Sequence, residues 1–194
     1  LTGSTNEKEA SMFKRRQWFL SAMAVLAVAA QVTSSAFADD AKQINANVDD
    51  SLKKFQDIAG SKEVLQKSAG VLVFPNVFKA GIGIGGEYGE GALRIKGKTV
   101  DYYNTAAASI GFQLGGQKKT IIMAFMQKDA LDKFRNSEGW KVGVDASVAV
   151  ITVGAGGSID TAKLNQPIVA FVLDQKGLMY NVTLEGSKIT KIKK

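Results

Sequence analysis

The stretch Gly81-Ile82-Gly83-Ile84-Gly85-Gly86-Glu87-Tyr88-Gly89-Glu90-Gly91 decides the fold. Glycine alternates with Ile82 and Ile84, and a period of two belongs to a strand and not to a helix. One face of that strand is nearly bare. Glycines inside strands mark bulges, sharp coiling or a close backbone approach. Upstream, the apolar run Val71-Leu72-Val73-Phe74 predicts a buried strand stopped by Pro75. Downstream, strands are expected at Ala92–Ile95, Thr99–Asn104, Ala107–Leu114 and Thr120–Met126, the first two joined by a tight turn at Lys96-Gly97-Lys98.

Helical periods flank this glycine-rich centre. Ile44, Val48, Leu52, Phe55, Ile58 and Ala59 recur at steps of mostly three and four, predicting an amphipathic helix over Asp40–Ala59 that Gly60 ends. Ser61 is expected to cap a second, short helix through about Ser68, closed by Gly70. A third is expected over Asp129–Ser137, with Leu131 and Phe134 inward and Gly139 as its stop. After it come a long strand or bent pair over Val142–Val153, then a hairpin of Ile168–Leu173 and Leu178–Leu184 with a four-residue loop. A last strand is expected at Ile189–Ile192. Gly85-Gly86, Gly115-Gly116 and Gly156-Gly157 each end an apolar stretch, but their unequal spacing is recurring bulge chemistry and not a repeat. The fold class is α+β: N-terminal helices on a coiled, mostly antiparallel glycine-rich sheet or barrel with one inserted short helix.

The N-terminus carries an export pattern. Lys14, Arg15 and Arg16 follow Met12, an apolar run covers Trp18–Ala30, and Ala36-Phe37-Ala38 precedes Asp39-Asp40. A positive n-region, a short apolar core and small residues before the cut describe a cleaved signal peptide over 12–38. The run falls short of the ~20 residues that span a bilayer. Arg15-Arg16-Gln17-Trp18-Phe19-Leu20 is similar to a twin-arginine signal, with Trp18 in place of the usual phenylalanine; a general secretory signal is the plainer reading. Residues 1–11 read as a non-native or misassigned leader, and 39–194 as a single domain. The expected location is the periplasm or cell envelope, or secretion.

Without residues 1–38, 156 of the 194 residues remain, enough for a real core. The whole chain has 25 Lys and Arg against 18 Asp and Glu; residues 1–38 hold four and two of these, leaving a net +5. That excess suits an anionic partner and also serves solubility. The chain has no cysteine and no histidine. Disulfides, a lipid-anchored N-terminal cysteine, a Ser-His-Asp triad, a cysteine nucleophile and a histidine or thiolate zinc site are all excluded.

Two phosphate-loop patterns fail on context. Gly81–Gly86 satisfies G-x-G-x-x-G, but a dinucleotide site needs a helix next, and Glu87–Ile95 reads as strand. Gly97-Lys98-Thr99 looks like the end of a P-loop, yet position 92 is alanine where glycine is needed, and Val100-Asp101-Tyr102-Tyr103 continues as strand. Glu87 and Glu90 point to opposite sides by parity, so they do not form a catalytic pair. Asp145, in an expected buried run, could carry a raised pKa, although a hydrogen-bonded structural carboxylate explains it more simply. No cofactor, metal or enzymatic activity is expected. Lys118-Lys119 and the tail Lys188, Lys191, Lys193 and Lys194 lack interleaved aromatics, so nucleic acid is not an expected partner. These lysines read as solvated faces.

The blocks Lys67–Pro75 with Lys79-Ala80-Gly81, Ser109–Gln117, Phe134 with Gly139–Ala146, and Gly177–Tyr180 with Leu184–Ser187 occur in order along the domain. In these the chain resembles the SYLF lipid-binding domain family. The resemblance implies membrane association; in eukaryotic members it implies phosphoinositide binding through an N-terminal amphipathic helix and basic residues, with actin binding in some. Actin is not an expected partner of an exported bacterial-type protein. On this resemblance the expected function is peripheral binding of anionic phospholipid or phosphoinositide-like headgroups. Lys42, Lys53, Lys54, Lys62 and Lys67 would meet phosphates, with Leu52 and Phe55 available to insert if the helix detaches. The alternative is a structural or protein-interaction module of the envelope, with an envelope protein as partner. The first helix carries Asp40, Asp49, Asp50 and Asp57 against Lys42, Lys53 and Lys54, a poor balance for a membrane-seeking helix. Its stripe fits burial on the sheet as well as insertion.

Overall fold

In the computed structural model of the protein, the glycine-rich stretch lies inside one strand, β1 (Gly70–Ile95), of 26 residues. The structure describes residues 40–111, 117–151, 159, 164–174, 177–178 and 184–194. The expected leader and signal peptide, the Gly115-Gly116 and Gly156-Gly157 pairs, and most of Met179–Leu184 lie outside the described residues.

A straight strand of this length would reach roughly 85 Å, far beyond the size of a domain of this mass. β1 therefore coils. Residues 70–79 pair with β3 (Gln117–Phe125), and residues 83–95 pair with β2 (Lys98–Gly111), both antiparallel. The halves then cross backbone to backbone. A Cβ at Gly91 would sit 2.0 Å from the carbonyl oxygen of Val73, and one at Gly89 would sit 2.7 Å from that of Asn76. No side chain fits there, which is why the sequence carries glycine on that face.

Pro75 does not stop the strand. The register shifts between Phe74 and Val77, and the proline sits in that irregularity, where no ladder N–H is required. Its carbonyl accepts from Thr120 Oγ1 at 2.9 Å. β2 is likewise one strand where a break was expected between Asn104 and Ala107; its last expected residues, 112–114, lie outside the described set. A two-residue turn, Lys96 (φ +50) and Gly97 (φ +77), joins β1 to β2 with Ile95 opposite Lys98. Two positive φ values give the turn whose twist matches that of a hairpin.

The sheet continues with β4 (Trp140–Lys141), β5 (Ala149–Val150), β6 (Ile168–Asp174), β7 (Gly177–Leu178) and β8 (Lys188–Ile192). The order is β4-β8-β2-β1-β3-β6-β5, with β7 on β6, and the β5–β6 pair is the parallel one. Three helices stand among the described residues: α1 (Ala41–Gln56), α2 (Ser61–Lys67) and α3 (Lys128–Arg135). The architecture is α+β, with a coiled, mostly antiparallel sheet.

Both sheet faces are covered. Ile44, Val48, Phe55 and Val64 of α1 and α2 pack on Val71, Val73, Ile122, Ala124, Val169 and Phe171. The alternate residues Leu72, Phe74, Ile121, Met123 and Phe125 face the other core, with Leu131 and Phe134 of α3 and Trp140. This explains why Val71–Phe74 reads as an unbroken apolar run: each face of the strand meets its own layer. Phe134 centres the second core, 4.8 Å from Tyr103, 5.0 Å from Phe125 and 5.5 Å from Trp140 between ring centroids.

Several local expectations are corrected. The strand expected over Val142–Val153 is a turn at its start: Gly143 has φ +84, Val142 bridges Ala146, and the Asp145 carboxylate accepts the Lys141 N–H at 2.5 Å. Only Ala149–Val150 forms a strand there, and 152–153 lie outside the described residues. The β6–β7 hairpin is tighter than expected, with Asp174 opposite Gly177 and two residues between them. Gly60, with φ +89, is the residue at the N-cap of α2; Ser61 is its first helical residue, and its hydroxyl is buried with no hydrogen-bond partner among the described residues. Asn136, not Gly139, ends α3.

Candidate anion-binding surface

Asp40 starts α1, its Oδ1 accepting from the Gln43 N–H at 2.7 Å. Ile44, Val48, Ser51 and Phe55, at steps of four, three and four, then turn inward. Phe55 is fully buried, its ring 4.8 Å from that of Phe171, and Leu52 is half-buried against the same core. The two residues read as available for insertion are thus part of the packing between helix and sheet.

At about 100° per residue, the line opposite the buried stripe runs through Lys42, Asp49, Asp50, Lys53 and Asp57. Lys42, Lys53, Lys54, Lys62 and Lys67 are all exposed. Lys54 pairs with Asp50 at 2.8 Å and Lys67 with Glu63 at 2.6 Å, one helical turn apart and on the surface. The Lys54 hydrogen bond and charge lower the Asp50 pKa. Such exposed pairs hold their partners weakly, so both lysines can turn to another anion. Lys42, Lys53 and Lys62 have no carboxylate partner among the described residues.

Polar contacts tie α1 to the β1–β2 hairpin. Asn45 Nδ2 donates to Tyr102 Oη at 2.8 Å, and Thr99 Oγ1 donates to Asn45 Oδ1 at 2.7 Å. Arg94 Nη2 donates to Asp49 Oδ1 at 2.6 Å. The helix is therefore held along both its apolar face and one flank.

The other basic clusters are arranged differently. Asp101, 11% exposed at its side chain, binds Lys191 Nζ at 2.5 Å and Arg135 Nη2 at 3.2 Å. Glu90, 7% exposed, accepts from Lys194 Nζ at 2.7 Å and from Tyr88 Oη at 2.9 Å. Glu87 receives Lys119 at 2.6 Å and Lys79 at 3.9 Å. Two of the tail lysines and Lys119, expected as solvated faces, are thus drawn into ion pairs with sheet carboxylates; Lys118 remains exposed, its Nζ 5.8 Å from the centroid of the exposed Phe78 ring. Glu87 and Glu90 occupy separate ion clusters, as their strand parity requires.

Asp145, expected buried, is exposed on its turn. Two shallow cavities of about 400 and 490 Å³ flank α3, lined by Asp132, Arg135, Asn136 and Lys191 and by Asp129, Asp132, Lys133, Asn136 and Ser137. Among the described residues no carboxylate group of metal-binding size gathers, and no helix is long and apolar enough to cross a membrane.

This is an α+β domain with α1 and α2 on one face of a coiled, glycine-crossed sheet and α3 on the other. Residues 106–194 match the family model described as "Ysc84: Las17-binding protein actin regulator", in agreement with the SYLF family that the sequence blocks resemble. The matched span begins inside β2 and runs to Lys194, so α1, α2 and β1 lie before it. No curated protein matches the chain.

Proposed function

We propose that the chain is an exported envelope domain that binds anionic phospholipid surfaces peripherally, without catalysis, and does so with α1 docked on the sheet. The observation that carries this is the sorting of α1 and α2: the apolar stripe is buried while Lys42, Lys53, Lys54, Lys62 and Lys67 all face solvent. Burying a large apolar side chain stabilises by about 1.5–3 kcal/mol, so freeing Ile44, Val48 and Phe55 would cost roughly 5–9 kcal/mol. That is comparable to the whole stability of a typical domain, about 5–15 kcal/mol. A lysine at an anionic membrane contributes about 1 kcal/mol. Five of them reach about 5 kcal/mol, a submillimolar and reversible contact, further reduced by Asp49, Asp50 and Asp57. Coulombic attraction therefore does not detach the helix.

Vesicle co-sedimentation tests the reading. Pelleting should exceed that with neutral vesicles when anionic lipid is present, and should fall as salt rises. The difference between the two vesicle types is the quantity to follow, because an apolar leader would partition into both. Equal pelleting at low salt would sink the proposal.

A second reading, a protein-interaction module, is supported by the family description, which names a protein partner. It expects capture of a specific envelope protein in a pull-down that survives salt and needs no lipid. The absence of histidine and cysteine from the chain supports the non-enzymatic part of either reading.

A further inference from the structure

The tip of the β1–β2 hairpin carries two exposed cations that the α1–α2 lysine set does not include. Lys96 and Lys98 flank Gly97, and neither has a carboxylate partner among the described residues. Arg94 fixes this tip to the helix. Its Nη1 donates to the Gly97 carbonyl at 3.3 Å, while its Nη2 donates to the Asn45 carbonyl at 3.3 Å and to Asp49 Oδ1 at 2.6 Å. One guanidinium thus spans from the turn backbone to the helix backbone. The tip lysines are set against the flank of α1 between Lys42 and Lys53, and Asp49, the acid of that flank, is occupied by Arg94. Beside the tip, the register shift between Leu93 and Arg94 passes over Val100, which is 40% exposed.

We infer that the hairpin tip and the docked α1 form one composite surface for anionic phospholipid headgroups, with Lys96 and Lys98 as its main cations beside Lys42 and Lys53. This rests on the phospholipid reading above and deepens it. On α1 alone the outward line carries Asp49, Asp50 and Asp57 against Lys42 and Lys53, an unfavourable balance. Adding Arg94, Lys96 and Lys98 reverses the sign. The surface exists only while the helix stays on the sheet, because Arg94 and Thr99 join it to the tip. Val100 offers an apolar contact at its border, as membrane-surface sites commonly do.

The test compares the purified protein with a Lys96→Asn/Lys98→Gln variant on phosphatidylcholine vesicles with and without phosphatidylglycerol. Asparagine tolerates the positive φ at position 96, and a thermal melt matching the parent confirms the fold. A Lys141→Gln/Lys188→Gln variant makes the same charge change elsewhere. Lys188 lies opposite Ala106, eight residues along β2 from Lys98, roughly 26 Å away. The tip variant should lose about tenfold or more in affinity for the anionic vesicles, and the control less than about threefold. Equal losses in both, or no loss at the tip, would overturn the composite surface while leaving the phospholipid reading standing. A parent protein that does not distinguish the two vesicle types would overturn both.

Discussion

The lysines of α1 and α2 and those of β8 and the tail after it look alike as sequence, short basic clusters near the two ends of the folded domain. The structure uses them in opposite ways. Lys191 and Lys194 are drawn onto Asp101 and Glu90, carboxylates that the sheet leaves 11% and 7% exposed. Lys54 and Lys67 meet acids on their own helices that are 61% and 43% exposed, and Lys42, Lys53 and Lys62 are exposed and pair with no described carboxylate. Charge committed to a half-buried partner serves the fold, because releasing it leaves an ion poorly solvated. Charge paired at the surface, or unpaired, remains available for a membrane or a partner. Counting lysines therefore says little until their acids are located.

The frame that holds both regions is the easiest to break. Gly91→Ala puts a Cβ against the Val73 carbonyl, and that contact is with backbone. The expected result is loss of a cooperative thermal transition. A stable, wild-type-like melt would show that the β1 crossing is not as close as described.

Asp101→Asn sharpens the comparison on the β8 side. It leaves Arg135 and Lys191 facing each other without their acid, and should lower stability by about 1–3 kcal/mol, less than for a fully buried pair because both cations are partly exposed. Denaturant titration measures this, and anionic-vesicle binding should not weaken. On the α1 side, Lys42→Gln/Lys53→Gln should leave stability within about 0.5 kcal/mol and reduce vesicle affinity several-fold. Should the two effects exchange places, with Asp101 affecting binding and Lys42/Lys53 affecting stability, the division of roles fails.

The smallest effect concerns Tyr103. Burial, and then the Asp101 charge, push its phenol up to about 12, and its hydroxyl is buried without a hydrogen-bond partner among the described residues. The fold favours the neutral phenol, so this contribution is complete below the ordinary tyrosine value near 10 and is lost as pH rises through about 12. Phenolate absorbance should show a group titrating late in the folded protein. Tyr103→Phe should remove that step and cost little at neutral pH, since no bond is broken.

Much of the frame was legible because it depends on local periods. The α1 stripe, the buried strand before Pro75, the bare glycine face and the Lys96-Gly97 turn all follow from spacing and backbone preference. The errors arose where a local rule met a distant neighbour. Pro75 is tolerated because the ladder has an irregularity there, and Asp145 is exposed because Gly143 turns a chain whose alternation reads as strand. The proposed binding surface was legible only in its helical half. The placement of Lys96 and Lys98 depends on Arg94 reaching Asp49, 45 residues earlier, and the pairing of Lys194 depends on its reaching Glu90 across 104 residues. No spacing in the sequence announces either contact.

The central claim is that α1 stays on the sheet while the lysines bind. The chain has no cysteine, so an Asn45→Cys/Thr99→Cys variant can place one disulfide where the native side chains meet at 2.7 Å. Binding to anionic vesicles should be the same, within about twofold, whether that bond is oxidised or reduced, because electrostatic contact through a docked helix needs no release. Binding that disappears on oxidation and returns on reduction would contradict the account and show that the helix must detach.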